Sequence, residues 1–557
     1  MADPHEMIKQ LEALQGLRHN WDTQWQDVHD ITWPDGGDFT LSRAPGERRT
    51  DLIYDQAAAL ALEKNAAIWE LLLTPRTQGW HMLVPTLPEL LDDQEAREYF
   101  EELTRILFSG RNRPGSGFYD QKHVSYKSLG AYGNECFNPM PIDGGGISYA
   151  SVHIGAVWVD VDDRGRIDTT FYKFSLSAKA ADQKWGDRAP KCVKDALGIT
   201  PFKDFEFLHV VKPRRGYDPR LLGPKGMPFE SWEIALKDKE FIPVSDPLRG
   251  TLEESGGFRT SPYIYSRFTV NPSEKYGRGP AMMVYQSNST LQAQRRSQVI
   301  SGEMAVHPPL LTQSDGLFAD TDPTEGFALV PSAMNPGFLD DNLRPKVVAF
   351  QNGYKHSLSE AMIQHDIDTI NDAHLADFFK VLVDNPNMTA TQALLLAQEK
   401  ANRVTPVVGR QQDEALGPLI IRELDILAEQ GALPDPPPVL LEAAGEYDIE
   451  YLSAATRIQK EEEIQSIRAW LSDVLPLAEI DPTINEIPDL HELVRFMGDA
   501  RGVPASMLNS KEEVQAAIKV QAQAAAADQT VEDLPGMARA AKDLQSANML
   551  PREVQAG

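Results

Sequence analysis

The stretch from Tyr276 to Leu311 reads YGRGPAMMVYQSNSTLQAQRRSQVISGEMAVHPPLL and decides the fold. Glycine and proline break the chain at both ends. The segment between them has no proline and, before Gly302, no glycine, which is typical of one long helix. It also contains no Asp or Glu until Glu303, although the whole chain carries a formal charge of -28. A helix that is polar nearly all round either bridges through solvent or packs against copies of itself.

The composition is that of an ordinary globular protein. The chain has 557 residues, of which 42% are hydrophobic and 24% charged, so its length predicts three or four domains, or fewer large ones. We expect no membrane span and no signal peptide, because no apolar run is long enough and the first residues are acidic and amphipathic. Cys136 and Cys192, the two cysteines, exclude a disulfide framework or a cysteine-rich metal site.

The acidic balance argues against a protein that holds nucleic acid through its phosphates, because such binding needs a basic surface. Two interpretations remain. The charge either serves solubility alone, or it lines a surface past which a polyanion moves without sticking.

Hydrophobic periodicity predicts a mainly helical first part with one short strand. Apolar residues from Met7 to Ile31 recur at helical spacing. Further helices are predicted over residues 51–73, 89–108 and 119–136, and a strand over residues 80–84.

The period then changes to that of β structure. Residues 147–161 and 166–174 predict a hairpin, with Asp162 to Gly165 as its turn. A short helix is expected over residues 177–185. Strands are expected over residues 205–212 and 231–236, and residues 261–270 lead into the central helix.

Beyond Pro309 we predict short strands and turns over residues 310–350 and then helices. The first helix covers residues 358–382. After a break at residues 385–387, a second long helix covers residues 389–430, with kinks at Pro406 and at Gly417-Pro418. Residues 434–438 form a stiff linker and residues 464–474 another amphipathic helix. Ser510 and Glu513 have the spacing of a capping box, and the Ala/Gln-rich end beyond them is expected to be mobile.

Catalytic motifs are missing from the sequence. Gly277-Arg278-Gly279 lacks the third glycine of a dinucleotide site, and no Walker lysine, HExxH or GxSxG pattern occurs. His365 and His374 are nine residues apart on one predicted helix, so they cannot share a metal ion. We therefore predict no enzyme activity, no cofactor and no metal. A carboxylate pair of the glycosidase type stays open, because 82 acidic residues produce such pairs by chance.

The order helix, small β-rich insert, helix, break and kinked helix resembles the podovirus-type head-to-tail connector, or portal, family. The similarity covers most of the chain. The matching segments are residues 51–83 with LTP and WHML, DRGRID at 163–168, KWG at 184–186, ESGGF at 254–258, YGRGPAM at 276–282, PPLL at 308–311, MTAT at 388–391 and GVP at 502–504. The chain departs from many relatives at residues 283–287, where they carry a Leu-Pro-Asp-type turn, and at Gln392, where they often have Glu.

The resemblance implies an α+β, mainly helical portal fold. Its parts would be a wing (residues 1–275), a first stem helix (276–309), a clip (310–355), a second stem helix (356–383), a tunnel loop (384–391), a kinked helix returning to the wing (392–433) and a helical crown (434–557). It also implies a homo-oligomeric ring, expected to be a dodecamer, at one vertex of a phage capsid. The protein would lie in the host cytoplasm before assembly and in the virion afterwards.

The implied partners are the terminase large subunit, a tail adaptor, the major capsid and scaffolding proteins, and double-stranded DNA that passes without sequence-specific binding. We expect inter-subunit stem contacts at Arg295, Arg296, Asp366, Asp368 and Asp372, because the two predicted stem helices carry opposite charge; the alternative is that these charges only face solvent. Tunnel-loop contacts fall on Lys380, Asp384, Asn385, Asn387 and Met388, and the clip surface includes Arg344 and Lys346. The alternatives are another ring-forming virion component such as a tail adaptor, or a carboxylate-dependent hydrolase.

Overall fold

The computed structural model describes residues 3–44, 46–51, 53–91, 93–142, 144–221, 223–245, 252–308, 310–312, 330–336, 339, 342–345, 356–376, 404–442, 447–452, 464–474, 490–501, 507, 514, 516–517 and 519–520. The chain divides into two compact units. The larger contains residues 1–80 and 107–433, and the smaller contains residues 81–106 and 434–557.

The N-terminal helices of the larger unit follow the predicted apolar pattern. Helix α1 spans Pro4–Thr32, and the Asp3 carboxylate caps it by accepting a hydrogen bond from the backbone N–H of His5. Residues of the predicted stripe, among them Trp25 and Val28, are fully buried. Helix α2 spans Ala57–Leu73 and begins later than predicted. The Asp55 carboxylate accepts a hydrogen bond from the N–H of Ala57, the first residue of this helix.

Helix α3 spans Gln94–Asn112, and helix α4 spans Phe118–Tyr132 instead of continuing to Cys136. The reason is Gly133, whose φ of 72° ends the helix in the left-handed region. A Cβ atom there would lie 2.3 Å from the backbone nitrogen of Gly279, so this close approach of two backbone segments requires glycine. Cys136 therefore lies on a strand, β2, which spans Asn134–Pro141.

Two sheets account for most of the β structure described in the larger unit. The first has the order β12-β2-β3, with β3 at Ile147–Val152 and β12 at Ile264–Arg267. The second is six-stranded, with the order β11-β7-β6-β5-β4 and β8 paired to β7. Its strands are β4 Val157–Val161, β5 Ile167–Ser177, β6 Asp204–Pro213, β7 Phe229–Ala235, β8 Glu240–Ile242 and β11 Gly256–Phe258.

The predicted hairpin is right at its tip and wrong at its base. The Asp162 carboxylate accepts hydrogen bonds from the N–H groups of Arg164 and Arg166, and Gly165 has a φ of 79°, so the turn lies where it was predicted. Residues 147–161 are not one strand, however, because the 3-10 turn Ile154–Ala156 separates β3 from β4. The two halves of that apolar run belong to different sheets.

Two short helices cover one end of the six-stranded sheet. Helix α5 spans Ala178–Trp185, as predicted, and Ser177 caps it through a hydrogen bond from the N–H of Ala180. Helix α6 spans Lys191–Leu197. Two further pairs of short strands are β9 Val244–Ser245 with β10 Leu252–Glu253, and β13 Leu310–Thr312 in parallel with β14 Met334–Pro336.

The central stretch is helical as predicted, but in two segments. Helix α7 spans Pro280–Met283 and helix α8 spans Tyr285–Val306, with a break at Val284. Helix α9 spans His356–Ala373. The prediction that it continues to residue 382 is wrong at residues 374–376, which form a turn with Leu375 at a φ of 58°; residues 377–403 lie outside the described part of the chain.

The predicted kink near Pro418 takes the form of a π-helical turn. Residues 404–411 are helical, Gln412–Leu416 form the π turn, and helix α10 spans Gly417–Glu429. The N–H of Gly417 reaches back to the carbonyl of Gln412, five residues earlier. Because Pro418 has no N–H, the normal ladder is interrupted at this point, and a wider turn satisfies the neighbouring groups.

The smaller unit combines strands and helices. Strand β1, His81–Pro85, confirms the predicted strand and pairs antiparallel with β15, Tyr447–Tyr451. Helix α11 spans Pro438–Glu442 and helix α12 spans Leu490–Arg501. Residues 464–474 are helical, as predicted, whereas Ser510 and Glu513 lie outside the described residues. The described chain is thus α+β with helices predominating, and none of its helices has the length and apolar content needed to cross a bilayer.

Candidate assembly site

In the first half of helix α8, amide side chains form hydrogen bonds with other segments of the same chain. These bonds account for the polar composition of this half. The side-chain oxygen of Gln292 accepts hydrogen bonds from the N–H groups of Tyr54 (2.7 Å) and Asp55 (2.9 Å), and its nitrogen donates to the carbonyl of Asp55. Asn288 donates to the hydroxyl of Thr32 at 3.2 Å. Both amide side chains are buried, so these bonds satisfy polar groups that burial would otherwise leave without partners.

The few apolar side chains of this half pack against two neighbouring helices. Leu291 is fully buried and belongs to one cluster with Ala58 of α2 and with Ile363 and Ile370 of α9. The small alanine side chain lets the helices approach closely. The inner half of α8 therefore packs within its own chain.

Arg295 and Arg296 mark the point where this packing ends. The Arg295 guanidinium donates to the Asp55 carboxylate at 2.8 Å, and Arg296 lies 6.0 Å from the ring of Tyr54. Arg295 therefore has an acidic partner in its own chain, which the sequence did not indicate. Reversal of the Arg295 charge would break this ion pair with Asp55 within the chain, as well as any contact with another copy.

The predicted acidic partners lie on α9. Asp366 is half-buried, whereas Asp368 and Asp372 are exposed, and Asp368 accepts a hydrogen bond from Gln364 one turn earlier. Within the described chain no ion pair joins these carboxylates to Arg295 or Arg296. Pairing between the two helices of different copies stays a prediction.

The outer half of α8, residues 293–306, is exposed on nearly every side. Its apolar side chains include Val299 and Val306, which are 49% and 72% exposed, and Ile300 is exposed next to them. Val299 and Val306 continue, at spacings of seven residues, the line that begins at buried Gln292. A helical face that is buried in its first half and exposes apolar side chains in its second half can bury those side chains against another chain.

His374 directly follows the C-terminal end of α9 and contacts α2 there. Its ring Nδ1 lies 2.9 Å from the carbonyl of Ile370, and its own carbonyl accepts a hydrogen bond from Asn65 at 2.8 Å. The side chain is fully buried, and this burial lowers the pKa of His374 from 6.5 to about 4. Among the described residues its other ring nitrogen has no hydrogen-bond partner, so a proton there would be buried without compensation from them.

Acid should therefore loosen this end of the helix. The unfolded histidine binds a proton near pH 6.5 and the folded one only near pH 4, so the contribution of His374 to stability is complete above pH 6.5 and is lost as the pH falls toward 4. In a His374→Gln variant we expect urea unfolding to depend less on pH between 7 and 4.5 than in the wild type. The matched control is His365→Gln, an exposed position on the same helix, which should keep the wild-type pH dependence. Equal pH dependence in all three proteins would contradict the assignment.

Known proteins are similar to this chain over most of its length. The sequence profile of the family described as "Bacteriophage head to tail connecting protein" matches residues 4–508. The chain belongs to this family. The chain is 25% identical over 557 residues to the portal protein of Salmonella phage epsilon15, covering 98% of this chain and 95% of that relative. It is also 25% identical over 507 residues to a "probable portal protein" of Bordetella phage BPP-1, covering 90% and 88% of the two chains.

The resemblance to head-to-tail connectors inferred from the sequence is thus confirmed. Six of the predicted contact residues lie outside the described part of the chain: Lys346, Lys380, Asp384, Asn385, Asn387 and Met388. Arg344 is exposed beside the isolated bridge between Leu339 and Pro345.

A network around the π turn holds the helical segment of residues 404–429 to the first sheet. The Arg267 guanidinium on β12 donates to both oxygens of Glu414, at 2.7 and 3.1 Å. The Gln411 amide donates to the backbone carbonyl of Arg267 at 3.0 Å. Helix residues on either side of Gln412 therefore bind the same strand residue, and this fixes the register of the kinked helix.

A second, fully buried pair lies further along the same helix. Arg111 of α3 donates through Nε to Glu423 of α10 at 3.0 Å and through Nη2 to its other oxygen, and both side chains are 0% exposed. The Tyr149 hydroxyl donates to the same carboxylate at 2.6 Å, and the Trp80 ring lies 4.5 Å from the guanidinium carbon. Sequence reasoning missed this pair, because nothing local distinguishes its members from surface charges.

One group of the described residues has the residue types of a metal site. The ligand atoms of His29, Asp30 and Asp38 lie within 4.8 Å of one another. Arg43, however, donates to Asp30 at 2.9 Å and lies 3.4 Å from Asp38, and Arg49 lies 3.7 Å from Asp38. Two guanidinium groups already balance the two carboxylates, so the residues form an ion-pair cluster and do not fit a divalent cation.

Proposed function

We propose that this chain forms the ring-shaped portal at one vertex of a phage capsid, through which DNA is packaged and later ejected. The observation that carries the proposal is the outer half of α8, with Val299, Ile300 and Val306 bare in the single chain. Met362 on α9 is likewise 49% exposed. A ring of copies side by side would cover these helices by the same helices of neighbouring copies, since interfaces between subunits bury apolar faces of this kind.

The parts of the ring are assigned on the family pattern. Residues 1–275 form the wing, α8 and α9 the stem, residues 310–355 the clip, residues 384–391 the tunnel loop, residues 392–433 the kinked helix and residues 434–557 the crown. The clip, including Arg344 and Lys346, docks the terminase large subunit during packaging and a tail adaptor afterwards. Capsid and scaffolding proteins surround the ring, whose role is structural and not catalytic.

The acidic charge suits a conduit. Each copy carries -28, so twelve copies would carry about -336, and a channel of that sign repels duplex DNA, so that DNA slides instead of binding. Basic residues such as Lys380 near the tunnel loop touch phosphates only transiently. The purified ring is therefore expected to show no tight, salt-sensitive duplex binding, and nanomolar affinity at physiological salt would contradict this part of the proposal.

Electron microscopy and mass photometry of the purified full-length protein test the ring directly. We expect particles with a central hole and a mass close to twelve times the 61.9 kDa of one chain. Another ring size would change the subunit number and leave the proposal intact. A monomer or dimer at every protein and salt concentration would overturn it.

A further inference from the structure

The loop between α6 and β6, residues 198–203, forms a fixed projection on the larger unit. The N–H of Ala178 donates to the carbonyl of Lys203 at 2.9 Å, and the N–H of Lys179 donates to the carbonyl of Pro201 at 3.0 Å. Thr200 donates to the carbonyl of Ala196 at 2.7 Å and so joins the loop to the end of α6. These backbone bonds hold the loop against the start of α5, so the loop backbone has a defined position.

Two large apolar side chains on this loop point away from the core. Ile199 is 82% exposed and Phe202 is 79% exposed, which are the highest values for large apolar residues in the described chain. The core beneath them, which contains Trp185, Val193 and Phe207, includes neither. Burying such a side chain contributes about 1.5–3 kcal/mol, so a partner that covers both residues would gain binding free energy.

The projection is also basic, in a chain that is otherwise acidic. Lys179, Lys191, Lys194 and Lys203 are exposed and form no ion pair with a carboxylate in the described chain, although the exposed acids Asp195 and Asp204 lie between them in sequence. Residues 173–225 contain twelve Lys and Arg against six Asp and Glu, a formal charge of +6. The remainder of the chain therefore carries -34. We call the two apolar residues and these four lysines the basic tip.

We propose that the basic tip docks on an acidic face of an adjacent copy of this chain. A partner that covers Ile199 and Phe202 must present an apolar surface, which a protein offers and a phosphate backbone does not. The four lysines favour a partner of negative charge, and another copy supplies one, because the residues outside 173–225 carry a net formal charge of -34. The inference rests on the proposed ring, which brings copies side by side, and adds a second contact between them, remote in sequence from α8 and α9.

Site-specific photo-crosslinking tests the proposal. The photoreactive residue p-benzoylphenylalanine replaces Phe202 in the full-length protein, and particles larger than one chain are isolated on a gradient and irradiated. We expect covalent dimers, with mass spectrometry placing the crosslink in an Asp- and Glu-rich peptide of a second copy. Adding Lys191→Glu and Lys194→Glu should lower the dimer yield at least tenfold. The matched control, Lys9→Glu with Lys64→Glu, makes the same change in net charge at exposed lysines of α1 and α2 and should leave the yield unchanged.

The outcomes separate this inference from the ring itself. Rings that form normally but give no crosslink between copies would overturn the docking of the basic tip and leave the proposed function standing. Crosslinking of Phe202 to an added 60-base-pair duplex instead of to protein would overturn it in favour of nucleic acid. If no particle larger than one chain forms, both the ring and the docking are wrong.

Discussion

Replacing Glu423 by Gln is expected to lower the free energy of unfolding of the larger unit by about 3–5 kcal/mol. The substitution keeps the size of the side chain and removes its charge. Arg111 would then remain fully buried, beside Trp80, without a counter-charge. The Tyr149 hydroxyl would also lose its ionised acceptor, and burial already raises the pKa of Tyr149 well above its usual value, so this hydroxyl stays protonated.

Urea unfolding followed by tryptophan fluorescence measures the effect. The matched control is Glu12→Gln, which makes the same change at an exposed position on α1 of the same unit, and little change is expected. The double variant Arg111→Met with Glu423→Leu should recover a large part of the loss, because an apolar pair needs no counter-charge. An equally small effect of Glu423→Gln and Glu12→Gln would show that the buried pair does not hold the helix as described.

The sequence predicts those elements whose causes are local. The apolar spacing along residues 7–31 gives α1, and the Asp162 to Gly165 turn carries its own hydrogen-bond acceptors. Ser177 caps α5, which begins where the helix of residues 177–185 was predicted. In each case the residues that form the element also supply the groups that end it, so a short window of sequence is sufficient.

The elements that could not be predicted depend on partners far along the chain. Gly133 ends α4 because the backbone of Gly279 lies against it, and the apolar run of residues 147–161 does not reveal that its halves join different sheets. Arg111 and Glu423 are 312 residues apart in the sequence. Charge patterns cannot show which acidic residue a buried arginine will meet.

The polar character of α8 has two causes, and only one of them was expected. Self-association was inferred from the missing acidic residues and stays a proposal for the outer half. In the inner half, Gln292 and Asn288 are polar because they satisfy the backbone at residues 54–55 and the hydroxyl of Thr32, which lie up to 256 residues away. The first half of α8 is thus hydrogen-bonded to its own chain through amide side chains, and the second half exposes apolar side chains.

Replacing Val299 and Ile300 by Asp together is expected to abolish ring assembly while the single chain stays folded. Both side chains are exposed in the chain, at 49% and 40%, so new charges there meet water and leave the protomer intact. Within a ring the same charges would be buried against the neighbouring copy without a partner, twice per subunit, which costs several kcal/mol for each. This pair tests the interface more cleanly than reversal of Arg295 and Arg296 to Glu, because Arg295 also binds Asp55 of its own chain.

Mass photometry gives the fraction of protein in rings, and circular dichroism checks the fold of the same samples. Ser297→Asp with Ser301→Asp is the matched control, since it adds the same charge to exposed positions of the same half-helix. It removes no apolar side chain, so we expect assembly to weaken less than in the valine and isoleucine variant, by a margin of at least tenfold in the protein concentration needed for rings. If the Val299 and Ile300 variant forms rings at wild-type concentrations, the outer half of α8 does not face another copy, and the contact between subunits must lie on a different surface of the chain.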